Sequence, residues 1–262
     1  MWGNPPAVLR VCPCGRSMSN SSDTSSPVVS SHVSLCDEGE DGAAEDDGSW
    51  AKNGAGDAML EQLKVLEPSD RVRELQTILR DSTTSRGDFI FYADRLIRVM
   101  VEEGLNCLPS YKRTVITPTG HEYEGEWFEK WNCAVSILRS GEAMEKGLRE
   151  CCRSMRIGKI LIRRDQDTKL PRVYYAKFPP QVDKRQILLL HPVLESGATA
   201  KEALNILKEH GVREEKIHII SLFATPRGVH KLLKDYPKIT ILTSEVHPCS
   251  PSHFGMTYFG SD

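Results

Sequence analysis

The chain has 262 residues, with 34 Lys and Arg against 36 Asp and Glu for a formal net charge of −2. This near-neutral balance gives no global positive field to draw in nucleic acid. No run approaches the ~18 apolar residues of a membrane-spanning helix, so neither a nucleic-acid nor a membrane partner is expected.

Residues 1–56 read as a disordered head. Positions 19–34 are dominated by Ser with only three valines to bury, and 37–47 form an acidic run broken by Gly and Ala. Neither stretch can offset the entropy of ordering. Residues 57–262 then form one expected domain of roughly 200 residues, enough for a sizeable core. With the acidic head set aside, this part is somewhat basic, which suits a polyphosphate pocket. The eight cysteines at 12, 14, 36, 107, 133, 151, 152 and 249 lack the spacing of a zinc site or of a secreted disulfide framework. The opening MWGNPPAVLRV has no secretory apolar core. An intracellular protein is expected, cytoplasmic with nuclear residence left open.

In chain order, Val72, Leu75, Ile78 and Leu79 recur at helical spacing within 69–80, with Ser69 or Asp70 as N-cap. A longer helix is predicted over 87–106, its buried faces supplied by Phe89, Phe91, Tyr92, Leu96, Val99 and Met100. Residues 114–117 and 122–128 flank Pro118-Thr119-Gly120 as a hairpin. Strands are then predicted at 134–138, 158–163, 172–178, 186–190, 216–223 and 239–246, and helices at 142–152, 200–210 and 227–236. Such alternation predicts an α/β fold with a mostly parallel sheet, helices on both faces, and ligands at the carboxyl ends of the strands.

The most informative stretch begins at Ile187-Leu188-Leu189-Leu190, a continuous apolar block suited to a strand buried on both faces. It runs into His191-Pro192-Val193-Leu194-Glu195-Ser196-Gly197-Ala198-Thr199 and then a helical segment. Hydroxyls and backbone N–H groups therefore gather at a helix N-terminus, which favours a phosphate.

This loop resembles the phosphoribosyl-pyrophosphate (PRPP) loop of phosphoribosyltransferases, which in the uracil-specific branch reads Asp-Pro-Met-Leu-Ala-Thr-Gly-Gly-Ser/Thr. Further segments extend the resemblance over about residues 71–262. They are the helix at 87–105, the Arg139-Ser140-Gly141 turn where the family has Arg-Ala-Gly, the strand from Arg156 to Arg164-Asp165, and Phe259-Gly260. The resemblance implies a type I phosphoribosyltransferase-like fold with a β-hairpin arm and a hood. It also implies transfer of ribose 5-phosphate from PRPP to uracil, giving UMP and pyrophosphate, with Mg²⁺ bound alongside PRPP and no metal site of the protein's own.

By the same resemblance Arg139 and Arg164 hold the diphosphate, where paired guanidinium donors suit phosphate oxygens. Residues His191 to Thr199 hold the ribose and 5-phosphate, and His247, Ser252, His253 and Phe254 read the base. In some larger family members GTP binds away from the active site and favours the tetramer. Arg86, Arg95 and Arg156 are the matching positions, as well explained by a solvated or subunit-facing surface, and a homo-oligomer is expected.

Several departures bear on chemistry. The Asp that grips the ribose hydroxyls in the family is His191, and a neutral imidazole offers one donor and one acceptor in place of an anionic double acceptor. The small residue facing the phosphate is Glu195; turned inward, a carboxylate roughly 6 Å from a phosphate dianion repels it by about 5 kcal/mol at an effective dielectric of 20, whereas turned outward it meets only water. The acidic positions of the C-terminal motif are His253 and Met256. These changes predict a homolog of UMP salvage that keeps a PRPP or nucleotide scaffold with weak or absent catalysis. The alternatives are a working uracil transferase and a non-catalytic, GTP-sensing interaction protein.

Overall fold

The computed structural model describes residues 61–165, 168 and 170–260; the expected disordered head lies outside them. Strand β1 (Leu63–Val65) leads to helices α1 (Asp70–Arg80) and α2 (Arg86–Leu105) and to a hairpin of β2 (Ser110–Ile116) and β3 (Glu122–Phe128). The sheet is entered at β4 (Asn132–Leu138), followed by α3 (Glu142–Cys151), β5 (Arg156–Arg164) and β6 (Pro171–Lys177). Then come β7 (Gln186–Leu190), β8 (Val193–Leu194), α4 (Ala198–Glu209), β9 (Ile217–Ala224), α5 (Pro226–Asp235), β10 (Thr240–Val246) and α6 (Phe254–Phe259).

The main sheet runs β1-β10-β9-β7-β4-β5-β6, with β8 added beside β9. Every pairing in it is parallel except the β5–β6 hairpin. The apolar block at β7 lies inside this sheet between β4 and β9, which explains why it needs no polar alternation. The pleat divides its side chains. Ile187 and Leu189 face α4 and α5 through Leu204, Leu207 and Leu232, whereas Leu188 and Leu190 face α2 and α3 through Leu96, Ile97 and Met144. Helices thus cover both faces, as expected. Among the described residues no helix is long and apolar enough to cross a membrane.

The helix starts follow from local chemistry. The Ser69 hydroxyl accepts from the Val72 N–H at 3.3 Å, and the Ser85 hydroxyl from Asp88 at 3.2 Å. One expectation needs correcting: Phe91 and Val99 do not belong to the buried face of α2 but are 55% and 39% exposed. They lie two turns apart on its outer arc, whereas Phe89, Ala93, Leu96, Ile97, Met100 and Val101 form the inner one. The small residue Ala93 and the second-face residue Ile97 are fully buried there in place of the two outer residues.

Two outcomes follow from this core. Leu204 is fully buried, so Leu204→Ala should cost about 2–5 kcal/mol of unfolding free energy in urea titration. Burial, reinforced by the nearby Lys64 ammonium, pushes the His218 imidazole down to about 4. The unfolded chain, with His near ~6.5, therefore takes up the proton first. The contribution of His218 to stability is complete above that value and is lost as pH falls toward the folded pKa. Urea midpoints should drop between pH 7 and pH 5, and drop less in His218→Leu; an equal drop would contradict the assignment.

Candidate functional site

Four segments converge at the carboxyl ends of the strands. After β4 the chain turns through Arg139-Ser140-Gly141 into α3, with a cis peptide between Leu138 and Arg139. Arg164 ends β5, the loop of residues 191–197 leaves β7, and α6 closes from the C-terminal side. Between them lies a cavity of about 300 Å³. Its lining includes Arg139, Arg164, His191, Val193, Glu195, Ser196, Gly197, Ala198, Thr199, Ser252 and Phe254. Most of the residues expected at the site from sequence therefore meet around one space.

The 191–197 loop is stitched to β9. The Pro192 carbonyl accepts from the N–H groups of Leu222 (2.8 Å) and Phe223 (3.1 Å), and the Ser221 hydroxyl beside it donates to the Phe223 carbonyl at 2.8 Å. The Leu194 carbonyl accepts from the Thr225 N–H at 2.9 Å, and the Thr225 hydroxyl donates to the Glu195 carbonyl at 2.5 Å. That same Thr225 oxygen caps α5 by accepting from Gly228 at 3.0 Å. A Cβ on Gly228 would collide with the Glu195 carbonyl, so α5 can approach the loop this closely only without a side chain there. Gly197, at φ 72°, makes the left-handed turn into α4. Ser196, Gly197 and the first residues of α4, Ala198 and Thr199, then line the cavity, so the helix N-terminus with its spare N–H groups lies at its edge.

Two residues set the electrostatics. The Nδ1 atom of His191 is buried and has no hydrogen-bond partner among the described residues, and burial pushes the ring down to about 4, so the imidazole is neutral at physiological pH. It brings no negative charge to where the family places an acid. Glu195 lies on the exposed part of the lining. Its carboxylate sits one residue before the phosphate-favouring turn, and solvent there screens it.

Below the Arg139 turn, Ser136 donates to Glu145 at 2.5 Å, and Lys159 reaches Glu142 and Glu145 at 2.9 and 3.2 Å. These contacts fix the start of α3 against β4 and β5, and with it the turn that carries Arg139. On the opposite wall Phe254, 1% exposed, packs against Phe89 with ring centroids 5.4 Å apart.

Some expected residues lie elsewhere. Pro192 and Leu194 are buried beneath the loop, the latter in the core with α4 and α5. His247 forms a turn with Cys249, and His253 lies beside Phe89 at 6.3 Å; neither is on the cavity lining. Arg86 donates to the carbonyls of Thr257 and Tyr258 at 3.1 and 3.3 Å, Arg95 lies over the Phe91 ring at 5.6 Å, and Arg156 is exposed at the start of β5. These three arginines do not share the cavity. Conversely, Ser140, Gly255, Met256 and Phe259 line it without having been singled out as ligands. The signal for them was their place in the Arg-Ser-Gly turn and in the C-terminal motif.

Comparison with known proteins agrees with this geometry. Residues 66–252 match the family described as Uracil phosphoribosyltransferase. A Danio rerio protein named "Uracil phosphoribosyltransferase homolog" is 60% identical over 201 residues, covering 77% of this chain and 78% of its own. A Dictyostelium discoideum "Uracil phosphoribosyltransferase" is 44% identical over 211 residues, covering 77% of this chain and 98% of its own. Among solved structures, the AQ2163 protein of Aquifex aeolicus superposes with a TM-score of 0.61 at 20% identity, covering 70% of this chain and 86% of that one, a likeness of fold. The sheet order, the loop at the end of β7 and the sequence match together place this chain in the uracil phosphoribosyltransferase family.

Proposed function

We propose that this chain is a nucleotide-binding member of pyrimidine salvage whose cavity holds PRPP or UMP but transfers the phosphoribosyl group to uracil weakly or not at all. The observation that carries this reading is His191: a neutral imidazole with its Nδ1 buried stands where the family loop has an acid. In the proposed pose Arg139 and Arg164 hold the diphosphate, which guanidinium groups suit by geometry and charge. The N–H groups and hydroxyls of residues 196–199 hold the 5-phosphate. The base packs toward Ser252, Phe254 and the rest of α6.

Glycosyl transfer needs the ribose fixed at its hydroxyls and the leaving diphosphate neutralised. An imidazole that keeps one nitrogen buried away from the cavity has at most its other nitrogen for a ribose hydroxyl. Ribose is therefore held more loosely than by a carboxylate that accepts twice. Mg²⁺ would supply charge neutralisation on the diphosphate. Glu195 is the carboxylate on the described lining, and one such donor fits an ion carried in by the substrate rather than one held by the protein.

We further propose a homo-oligomer assembled through the β2–β3 hairpin. The hairpin pairs with itself alone, outside the main sheet, and presents Ile116, Tyr123, Trp127 and Phe128 to solvent. The GTP-sensing alternative gains nothing from Arg86, whose guanidinium is already engaged by two carbonyls of α6.

Calorimetry with PRPP and Mg²⁺, followed by a uracil-to-UMP assay at high protein concentration, tests the function. Binding with negligible turnover is expected; ordinary turnover would overturn the reading. Glu195→Ala should tighten phosphate binding by roughly tenfold, the Coulomb gain at ~6 Å in a water-like dielectric, and an unchanged affinity would mean that the carboxylate turns away. In sedimentation, Ile116→Glu with Tyr123→Glu should shift the protein toward monomer, whereas an unaltered mass would exclude the hairpin as the interface.

A further inference from the structure

The short helix α6 forms one wall of the cavity through Phe254, Gly255, Met256 and Phe259. Six residues do not make a stable helix by themselves, so what holds α6 in place decides the shape of that wall. Its other face is turned toward α2. Phe254 and Tyr258, one turn apart, stack at 5.8 Å and 14°, and Phe254 meets Phe89 of α2. The Tyr258 hydroxyl donates to Asp94 Oδ1 at 2.6 Å, the length of a charge-assisted bond. Lys146 of α3 donates to the second oxygen of the same carboxylate at 2.7 Å. The Asp94 side chain is only 12% exposed. Burial, and then this hydrogen bond, raise the Tyr258 phenol well above its ordinary value, so it remains a donor across the neutral range.

We propose that Asp94 is a positioning residue: by holding the Tyr258 hydroxyl against α2 while Lys146 ties it to α3, it sets the wall against which the base end of the ligand packs. The identity of that ligand rests on the nucleotide-binding reading given above. The two hydrogen-bond partners of Asp94 given above, Tyr258 and Lys146, do not line the cavity, and α3 is also anchored by Glu142 and Glu145 through Lys159. Loss of the Asp94–Tyr258 bond should therefore loosen the base end and leave the diphosphate end intact.

The experiment uses the full chain and two probes, UMP and inorganic pyrophosphate with Mg²⁺. Tyr258→Phe and Asp94→Leu should each weaken UMP binding by about tenfold, the effect of one hydrogen bond to a charged group, with pyrophosphate affinity unchanged. Asp94→Asn keeps an acceptor for the hydroxyl and should restore most of the UMP affinity. Equal losses on both probes, which a merely structural role would produce, or no loss on UMP, would overturn the proposal. If the unsubstituted chain binds neither probe, the nucleotide reading has failed, and amide hydrogen exchange decides the positioning claim. Amides of residues 254–259 should then exchange about tenfold faster in Tyr258→Phe, and unchanged exchange would overturn it.

Discussion

The Pro192 carbonyl accepts from the N–H groups of Leu222 and Phe223 in β9, and this one oxygen anchors the loop that defines the site. Buried backbone polar groups must find partners. At the carboxyl edge of a parallel sheet, the loop after β7 meets that requirement by lying along β9 as a two-residue strand. The rest follows in order. The loop cannot drift from the sheet, Gly197 turns the chain into α4 at a fixed point, and the N-terminus of α4 lies at the edge of the cavity. Thr225 extends the same logic by serving at once as cap of α5 and as donor to the Glu195 carbonyl.

Upon this rigid edge the chemistry is a matter of charge. Two arginines remain on the lining, the acid expected to grip ribose has become a neutral imidazole, and a carboxylate has entered beside the phosphate turn. A scaffold can keep its fold through such changes because the loop is held by backbone atoms, which side-chain replacement leaves alone. Binding and turnover can then separate. Under the proposed function, the arginines would still hold the phosphates while the ribose is oriented more loosely.

Much of this was legible in the residues. The four-residue apolar block at 187–190 marked a strand buried on both faces, and the hydroxyl-Gly sequence after it marked an anion-favouring turn. Arg139 and Arg164 could be placed only through the family resemblance, since a lone Arg more often faces solvent. Other features had no local signal. Val193–Leu194 is too short a strand to show alternation, and α6 is too short to show a helical period. Phe91 and Val99 are apolar yet exposed because the arc of α2 that meets the core is the one holding the small Ala93, which residue size and hydrophobicity alone do not single out. The Asp94–Tyr258 bond joins residues 164 positions apart. No window along the chain could have revealed it.

The most direct test of the central claim, that the end of the sheet at β4, β7 and β9 is a nucleotide site, is a crystal structure of the chain grown with UMP. The structure predicts the phosphate at the N–H groups of residues 196–199 and the base against Phe254 and Phe259 of α6. UMP bound elsewhere, or a cavity without it at saturating concentration, would contradict the claim.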